Sequence, residues 1–307
     1  IISQNYDVVV ANPPYTDSAD FGVELKDFID KNYKKPFKVN INLYACFIKR
    51  CCELAGKHGK VGMVNPPTFM YIKTFEDLRK FILDKVTIDL FVEWGYLGMF
   101  ASFARVDSAM FILEMEASNK KSTFIKLNDL YEMKRKDVLF EAYDDFITGR
   151  QNDRVYTIQQ SKLKRIKSWP FIYWISDEFR EKFRGDTIED VFKPASGAAT
   201  SNNNKYLRFW WEIMLDNIPT ATSNDHNWVF YAKGGPYNKW YGNLWLLLKW
   251  HNQGSEIKHD TRAILRNPDY YFKEGVTYSA SGSKGASFRQ LPEGCIFDVG
   301  GASIFPK

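Results

Sequence analysis

The chain has 307 residues, of which 45% are hydrophobic and 16% aromatic, which is enough to bury a sizeable core in one or two domains. No stretch approaches 18 uninterrupted apolar residues and no signal peptide is visible, so neither a membrane span nor secretion is expected. The net charge is +5, and the whole excess lies from Glu116 onward, since the preceding part is neutral. This division is typical of a catalytic core joined to a unit that binds a polyanion.

The four cysteines predict a reducing compartment. Cys46, Cys51, Cys52 and Cys295 form no Cys-x-x-Cys pair, which a metal site or a redox motif would require. We therefore expect free thiols, no metal and a cytoplasmic location.

The first predicted strand, Tyr6–Ala11, is rich in β-branched residues and stops at Asn12-Pro13-Pro14-Tyr15. A double proline ends a strand in a rigid turn. The pattern predicts a central strand of an α/β sheet, and reactive groups in such sheets lie at the carboxyl ends of strands.

Residues 12–15 have the chemistry to hold an amine. The Asn12 side-chain oxygen and the Pro13 carbonyl are two acceptors that can receive both hydrogens of one –NH2 group. Acceptors out of the ring plane favour a pyramidal nitrogen, which localises a lone pair that conjugation would otherwise delocalise. The Tyr15 ring offers a stacking platform for the ring that carries the amine. The alternative is an ordinary proline-rich turn.

These four residues resemble motif IV, Asn-Pro-Pro-Tyr/Phe, of the amino-methyltransferases that methylate N6 of adenine with S-adenosylmethionine (SAM). The resemblance implies that Asn12, Pro13, Pro14 and Tyr15 are catalytic and that Tyr15 stacks on a flipped-out adenine. It also implies a Rossmann-like class I methyltransferase sheet, of which residues 1–115 would form the second half.

A helix follows over residues 40–54, with an apolar face predicted at Leu43, Phe47, Cys51 and Leu54. The next strand, 60–64, ends in a second Asn-Pro-Pro at residues 65–67. Thr68 follows this one in place of an aromatic residue, so we interpret it as a strand-end turn. A helix over 75–83 and strands over 87–93 and 106–114 complete this part.

Three further segments carry the resemblance. Residues 42–47 look like motif V, residues 59–64 look like motif VI, and the segment around Phe100 looks like motif VIII. The resemblance implies that Phe100, or alternatively Phe103, stacks on the second face of the adenine. It also implies that Phe47 lines the adenine pocket of the cofactor, although a core position on the helix is the alternative.

Residues 116–185 are charged and predicted to be a helical connector, whose basic runs either contact phosphates or form solvated helix faces. From Asp186 onward, aromatic residues alternate with glycine, asparagine and basic residues. This predicts a mixed, β-rich recognition domain with a helix near 244–250. Basic and amide side chains suit phosphates and base edges of double-stranded DNA. The candidate DNA-binding residues are Arg208, Lys233, Lys239, Lys284 and Arg289.

Residues 186–307 resemble the target-recognition region of large stand-alone adenine methyltransferases. These include the PglX/BrxX proteins of BREX phage-defence systems and type IIG restriction–modification enzymes, and residues 233–243 are the most specific part. The implied function is site-specific adenine-N6 methylation of DNA in phage defence, with other defence subunits as further candidate partners. The alternatives are a non-catalytic DNA-recognition module of a larger complex, or a methyltransferase acting on protein glutamine or RNA.

A complete enzyme of this kind also needs a glycine-rich loop for SAM and an acidic residue for its ribose. Neither is found, because almost nothing precedes Asn12 and the later glycine-rich pieces lie in the recognition domain. We therefore expect the chain to be an interior part of a longer protein, with an incomplete recognition domain and no activity by itself.

Overall fold

The computed structural model describes residues 4–96, 99, 106–116, 120–214, 227–282 and 284–307. The chain divides into two compact units, Ile1–Gly185 and Asp186–Lys307. None of the described helices is long and apolar enough to cross a membrane.

The first unit is built around one six-stranded sheet. Its elements are β1 (Tyr6–Ala11), α1 (Val23–Tyr33), α2 (Leu43–Leu54), β2 (Ala55–Asn65), α3 (Glu76–Lys85), β3 (Thr87–Tyr96), β4 (Asp107–Glu114), β5 (Lys121–Lys126), α4 (Glu132–Thr148), β6 (Val155–Gln159) and α5 (Asp177–Glu181). The strand order is β1-β2-β4-β3-β5-β6. The β1/β2 and β3/β5 pairs are parallel and the other pairs are antiparallel.

The two faces of this sheet differ in how they are covered. Side chains alternate between the faces of a strand. On one face, Val61, Met63 and Phe111 join the main core with residues of α2 and α3. On the other face, α4 packs over β3 and β5, while Val8 and Val10 of β1 remain 63% and 77% exposed.

Strand β1 has the predicted bounds. Within the described residues it lies at the edge of the sheet, with β2 as its neighbour. Its predicted central place concerns a sheet of which residues 1–115 would be the second half, and it stays a prediction.

The buried stripe of helix α2 shares Cys51 with the predicted one but is otherwise displaced from it. Tyr44, Ile48 and Cys51 are buried, whereas Phe47 is 40% exposed, so its alternative as a core residue is wrong. Both stripes are apolar, and spacing alone does not choose between them. The helix begins at the Asn42 cap, whose Oδ1 accepts the Tyr44 N–H at 3.2 Å.

Residues 116–185 differ from the predicted helical connector. Strand β5 pairs with β3 and buries Phe124 and Ile125, and β6 extends the same sheet. The strand is short and has a lysine at each end, Lys121 and Lys126. Because its neighbours are charged, the composition of this segment does not indicate a buried strand.

A buried arginine joins the turn after β2 to the chain beyond β6. The Arg79 guanidinium is fully buried and donates to the carbonyls of Phe69 (2.7 Å), Ile72 (2.8 Å) and Ser168 (2.9 and 3.0 Å). Since each backbone carbonyl is an obligatory acceptor, this one side chain satisfies three groups that the turns leave unpaired.

The second unit contains two four-stranded sheets. Its elements are α6 (Ile188–Val191), β7 (Phe192–Ala195), α7 (Asn203–Tyr206), β8 (Leu207–Phe209), β9 (Trp228–Ala232), β10 (Leu246–Lys249), α8 (His251–His259), β11 (Gly275–Tyr278), β12 (Phe288–Leu291), β13 (Cys295–Phe297) and β14 (Ser303–Pro306). The strand orders are β13-β9-β10-β8 and β12-β11-β14-β7. Tyr206, Tyr231, Phe297 and Phe305 are fully buried in its core.

The predicted mixed, β-rich character of this unit is confirmed, but the helix predicted near 244–250 is wrong. Leu246–Lys249 is strand β10, which pairs with both β8 and β9. A short continuous apolar run fits a buried strand and a buried helix equally well.

Candidate active site at the carboxyl end of strand β1

Both Asn-Pro-Pro sequences lie at the same edge of the sheet. Strand β1 ends at Ala11, which is paired in parallel register with Met63, and β2 ends at Asn65. Asn12 and Asn65 therefore follow neighbouring strands at their carboxyl ends. This is the edge at which open α/β sheets bind their ligands.

The first motif presents an exposed acceptor beside a fixed tyrosine. Asn12 is exposed, Pro13 is buried and Tyr15 is partly buried. The Tyr15 hydroxyl donates to Asn12 Oδ1 at 2.9 Å and lies 3.2 Å from the Val64 carbonyl oxygen. An amide oxygen has two lone pairs, so Asn12 Oδ1 can accept a second hydrogen from a ligand. Partial burial raises the pKa of the Tyr15 phenol, which keeps it protonated as a donor.

Helix α2 supports the motif through Asn42 and Tyr44. Asn42 Nδ2 donates to the Tyr15 carbonyl at 3.3 Å while Asn42 Oδ1 caps the helix. The buried Tyr44 ring meets the Tyr15 ring edge-on at 6.3 Å and stacks on Phe75 at 5.4 Å. Its hydroxyl shares a hydrogen bond with Thr68 at 3.0 Å. Tyr44 was not predicted to contact the motif, because the predicted apolar stripe of this helix ran through Phe47 and not through Tyr44.

Replacing Asn42 with alanine should lower the free energy of unfolding by about 1–2 kcal/mol, because a helix cap and a hydrogen bond to the motif are lost together. The shift in thermal unfolding temperature of the chain measures this. Asn32→Ala is the matched control, since Asn32 is exposed and donates only within α1, to the Phe28 carbonyl. Equal shifts for the two variants would contradict the assigned role of Asn42.

The second motif faces the other side of the sheet. Asn65 follows the alternation of Val61 and Met63 into the covered face and is fully buried. Neither of its amide atoms has a hydrogen-bond partner among the described residues. A buried side chain without an adjacent aromatic platform does not repeat the arrangement at Asn12, in keeping with its interpretation as a strand-end turn.

Known proteins resemble this chain over nearly its whole length. Residues 2–100 match the family model of the Eco57I restriction-modification methylase. The adenine-specific methyltransferase BrxX of Escherichia coli O9:H4 (strain HS) is 30% identical over 99% of the chain and 24% of its own length. PglX of Lacticaseibacillus casei (strain Zhang), also named as an adenine-specific methyltransferase, is 27% identical over 99% of the chain and 26% of its own length.

The chain is a homologue of the adenine-specific methyltransferases BrxX and PglX. The resemblance predicted from the motifs is thereby confirmed. The chain spans about a quarter of the length of these curated relatives. Among solved structures, the Type IIL restriction-modification enzyme MmeI in complex with DNA has a TM-score of 0.58 at 11% identity, over 98% of this chain and 41% of that one. This likeness confirms the predicted fold class.

Methyltransferase relatives imply SAM as the cofactor, whose polar groups would need partners near the end of β1. A cavity of about 560 Å³ lies between the open sheet face and α4, and Asn12 is at its rim. Its other lining side chains are apolar or aromatic, including Val10, Met110 and Phe140. No carboxylate for ribose hydroxyls and no cation for a methionine carboxylate lines it within the described ranges. These residues therefore fit the acceptor end of a methylation site but not the polar groups of SAM.

Both candidates for the second stacking wall, Phe100 and Phe103, lie outside the described residues. Phe47 is exposed on α2 and does not line the cavity beside Asn12.

The candidate DNA-binding residues fall into two groups. Lys239 and Lys284 are exposed, and Arg208 and Lys233 are partly exposed. Arg289 is only 2% exposed, so its predicted place on the groove-facing surface is wrong. The Arg289 side chain lies on the inward face of strand β12. Residue type does not determine which face of a strand a position occupies, so this burial could not be predicted from the arginine itself.

A buried carboxylate at the same sheet edge was also missed. Glu93 on β3 and Asn65 on β2 are both paired with Ala109 of β4. Glu93 accepts hydrogen bonds from Tyr173 (2.7 Å), Asn128 (2.7 Å) and Tyr71 (3.2 Å). Burial raises the pKa of the Glu93 carboxyl, and the two tyrosine hydroxyls oppose this shift. A single Glu in a strand pattern carries no sequence signal of such a network.

Proposed function

We propose that the full-length protein is a site-specific DNA methyltransferase that transfers a methyl group to N6 of adenine. The observation that carries this is the geometry of Asn12 and Tyr15 at the end of β1. There an exposed amide oxygen adjoins an aromatic ring whose hydroxyl donates to that oxygen at 2.9 Å and lies 3.2 Å from the Val64 carbonyl. The homology to proteins named as adenine-specific methyltransferases supports the choice of adenine.

Each motif residue has a distinct part in this proposal. Asn12 Oδ1 accepts one hydrogen of the N6 amine and the Pro13 carbonyl accepts the other, which favours a pyramidal nitrogen with a localised lone pair. Tyr15 stacks on the adenine after it leaves the duplex, which offsets part of the few kcal/mol that base flipping costs. SAM, when bound, supplies an electrophilic methyl group, and the described residues beside Asn12 do not provide its polar contacts.

The DNA substrate is proposed from the second unit and from the relatives. This unit bears the exposed Lys239 and Lys284, and MmeI, whose fold the chain shares, was solved in complex with DNA. Phage defence, in a BREX or a restriction–modification setting, and other subunits of such a system belong to the same proposal.

The direct test is to incubate the full-length protein with methyl-labelled SAM and with duplex DNA, RNA and protein in parallel. We expect label in DNA, recovered as N6-methyladenine by mass spectrometry. Label found only in RNA or in glutamine side chains would show that adenine in DNA is not the substrate.

A second candidate function has one observation in its favour. The exposed Lys239 and Lys284 of the second unit suit a DNA-recognition module without catalysis as well as they suit a methyltransferase. Equilibrium binding of SAM to the full-length protein separates the two functions. A recognition module would bind duplex DNA and leave SAM unbound.

A further inference from the structure

The second unit contains a small polar cavity that the catalytic proposal does not use. Its volume is about 290 Å³, and Gly235, Ser279, Lys284, Gly285 and Ser287 are among its lining residues. Small residues leave room for a ligand to approach the backbone closely. Gly285 has φ +88° and an added Cβ would meet nothing within 4 Å, so this wall of the cavity is open.

A buried cation lies behind the serines of this cavity. Arg289 Nη1 donates to Ser287 Oγ at 2.8 Å and to the Ser287 carbonyl at 2.9 Å, and it reaches Ser279 Oγ at 3.4 Å. Arg289 is 2% exposed, and its Nε is buried without an acceptor among the described residues. A guanidinium that is removed from water needs more acceptors than these neutral oxygens provide.

No described carboxylate neutralises the cavity. Arg289 and Lys284 form no ion pair with any acidic side chain in the ranges that the structure describes, whereas Lys205 and Lys249 of the same unit pair with Glu256. Burial lowers the pKa of Arg289, and an anion beside it would oppose that shift. The cavity therefore combines Lys284, serine hydroxyls and the unhindered Gly282 and Gly285 with the Arg289 guanidinium behind the serines, and no described carboxylate serves as a counter-ion. This is the composition of an anion site.

The neighbouring loop indicates which anion. Trp240 is 76% exposed, yet its backbone is bound to the strand of Arg289, since Trp240 N donates to the Phe288 carbonyl (2.9 Å) and Gln290 N donates to the Trp240 carbonyl (2.8 Å). Lys239 Nζ lies 6.0 Å from the centres of both the Trp240 and Tyr237 rings. Exposed aromatic rings and a lysine beside an anion site are the groups that contact bases and phosphates in nucleic acids.

We propose that the cavity bounded by Ser279, Lys284 and Ser287, with Arg289 behind it, binds one phosphate of the DNA backbone. Lys284 contacts the phosphate from the open side, and the Ser287 hydroxyl donates to it while Arg289 donates to Ser287 Oγ. Ser279 shapes the cavity wall, since its hydroxyl donates to the Gly235 carbonyl at 3.0 Å. The contact fixes the register of the second unit on the duplex, because phosphate contacts position a protein without reading sequence. This inference rests on the proposed DNA substrate.

The test measures duplex affinity of the full-length protein over a range of salt concentrations by fluorescence anisotropy. Lys284→Gln should weaken binding about 5-fold or more and reduce the slope of log K against log[salt] by about 0.9, the value for one phosphate contact. Ser287→Ala should weaken binding about 3-fold with the slope unchanged, since it removes a neutral donor. Lys193→Gln is the matched control, because Lys193 is exposed on β7 and does not line the cavity.

The outcomes separate this inference from the proposed function. Equal effects of Lys284→Gln and Lys193→Gln would overturn the phosphate site, whatever the wild type methylates. Retained DNA binding with the predicted variant effects, but no N6-methyladenine, would overturn the methyltransferase and support the site. A thermal shift titration with inorganic phosphate alone tests whether the cavity binds free phosphate in place of a DNA phosphate. If phosphate stabilises the wild type but not Lys284→Gln, and no duplex binds, the DNA assignment is wrong.

Discussion

Asn12→Ala should lower the rate of adenine methylation by the full-length protein about 100- to 1000-fold, the range seen when one preorganised hydrogen-bonding group is removed from an active site. The substitution removes the exposed acceptor that the Tyr15 hydroxyl orients. Asn12 is on the surface, so the thermal unfolding temperature should change little. The measurement is the single-turnover rate of N6-methyladenine formation under saturating SAM and DNA.

Two companion variants make this result specific. Asn12→Asp keeps an acceptor at the same place and should retain much more activity than Asn12→Ala. Asn65→Ala changes the asparagine of the second Asn-Pro-Pro, whose side chain is buried on the opposite face of the sheet. It should leave the rate within a few-fold of the wild type. A larger loss from Asn65→Ala than from Asn12→Ala would transfer the amine-holding role to the second motif.

Tyr15→Ala should lower kcat/KM for DNA about 10- to 100-fold, because stacking of one base on an aromatic side chain is worth about 1–3 kcal/mol. The loss has a second source, since Asn12 Oδ1 would no longer be held by the Tyr15 hydroxyl at 2.9 Å. Steady-state methylation of a duplex that carries one target adenine provides the measurement.

Tyr15→Phe divides these two sources. The phenylalanine keeps the platform and the edge contact with Tyr44, but loses the hydroxyl that contacts Asn12 and Val64. We expect a loss of about 3- to 10-fold, in line with the net value of one or two hydrogen bonds. If Tyr15→Phe were as inactive as Tyr15→Ala, the hydroxyl and not the ring would be the essential group.

Local sequence predicts some residues of the candidate site but not those that other elements supply. Residues 12–15 could be found because a strand signal, a double proline and an aromatic residue are contiguous, and the structure ends β1 at Ala11 as predicted. The supporting roles of Asn42, Tyr44 and Thr68 could not be predicted, since α2 and the turn after β2 meet the motif only in the folded chain. Glu93 illustrates the same limit, because its partners Tyr71, Asn128 and Tyr173 lie 22, 35 and 80 positions away.

The errors in the fold have related causes. The apolar stripe of α2 was predicted one position out of place, because stripes that begin at Leu43 and at Tyr44 are both apolar. Only packing against the sheet determines which of them is buried. Strand β5 was hidden by its charged surroundings, and β10 was predicted as a helix because a short apolar run suits either form. Arg289 was placed on the surface by its residue type, whereas the pairing of β12 with β11 turns it inward.

The sequence by itself determined the class of chemistry, because Asn12-Pro-Pro-Tyr15 carries its own geometry. Proline rings set the backbone, and the acceptor and the platform are three residues apart. Only the tertiary structure showed how differently the two asparagines are placed. Asn12 and Asn65 lie at the carboxyl ends of neighbouring parallel strands and both begin an Asn-Pro-Pro sequence, yet Asn12 is exposed and Asn65 is buried. The physical reason is the side-chain alternation of each strand relative to the one face that α2 and α3 cover, and no local pattern contains that information.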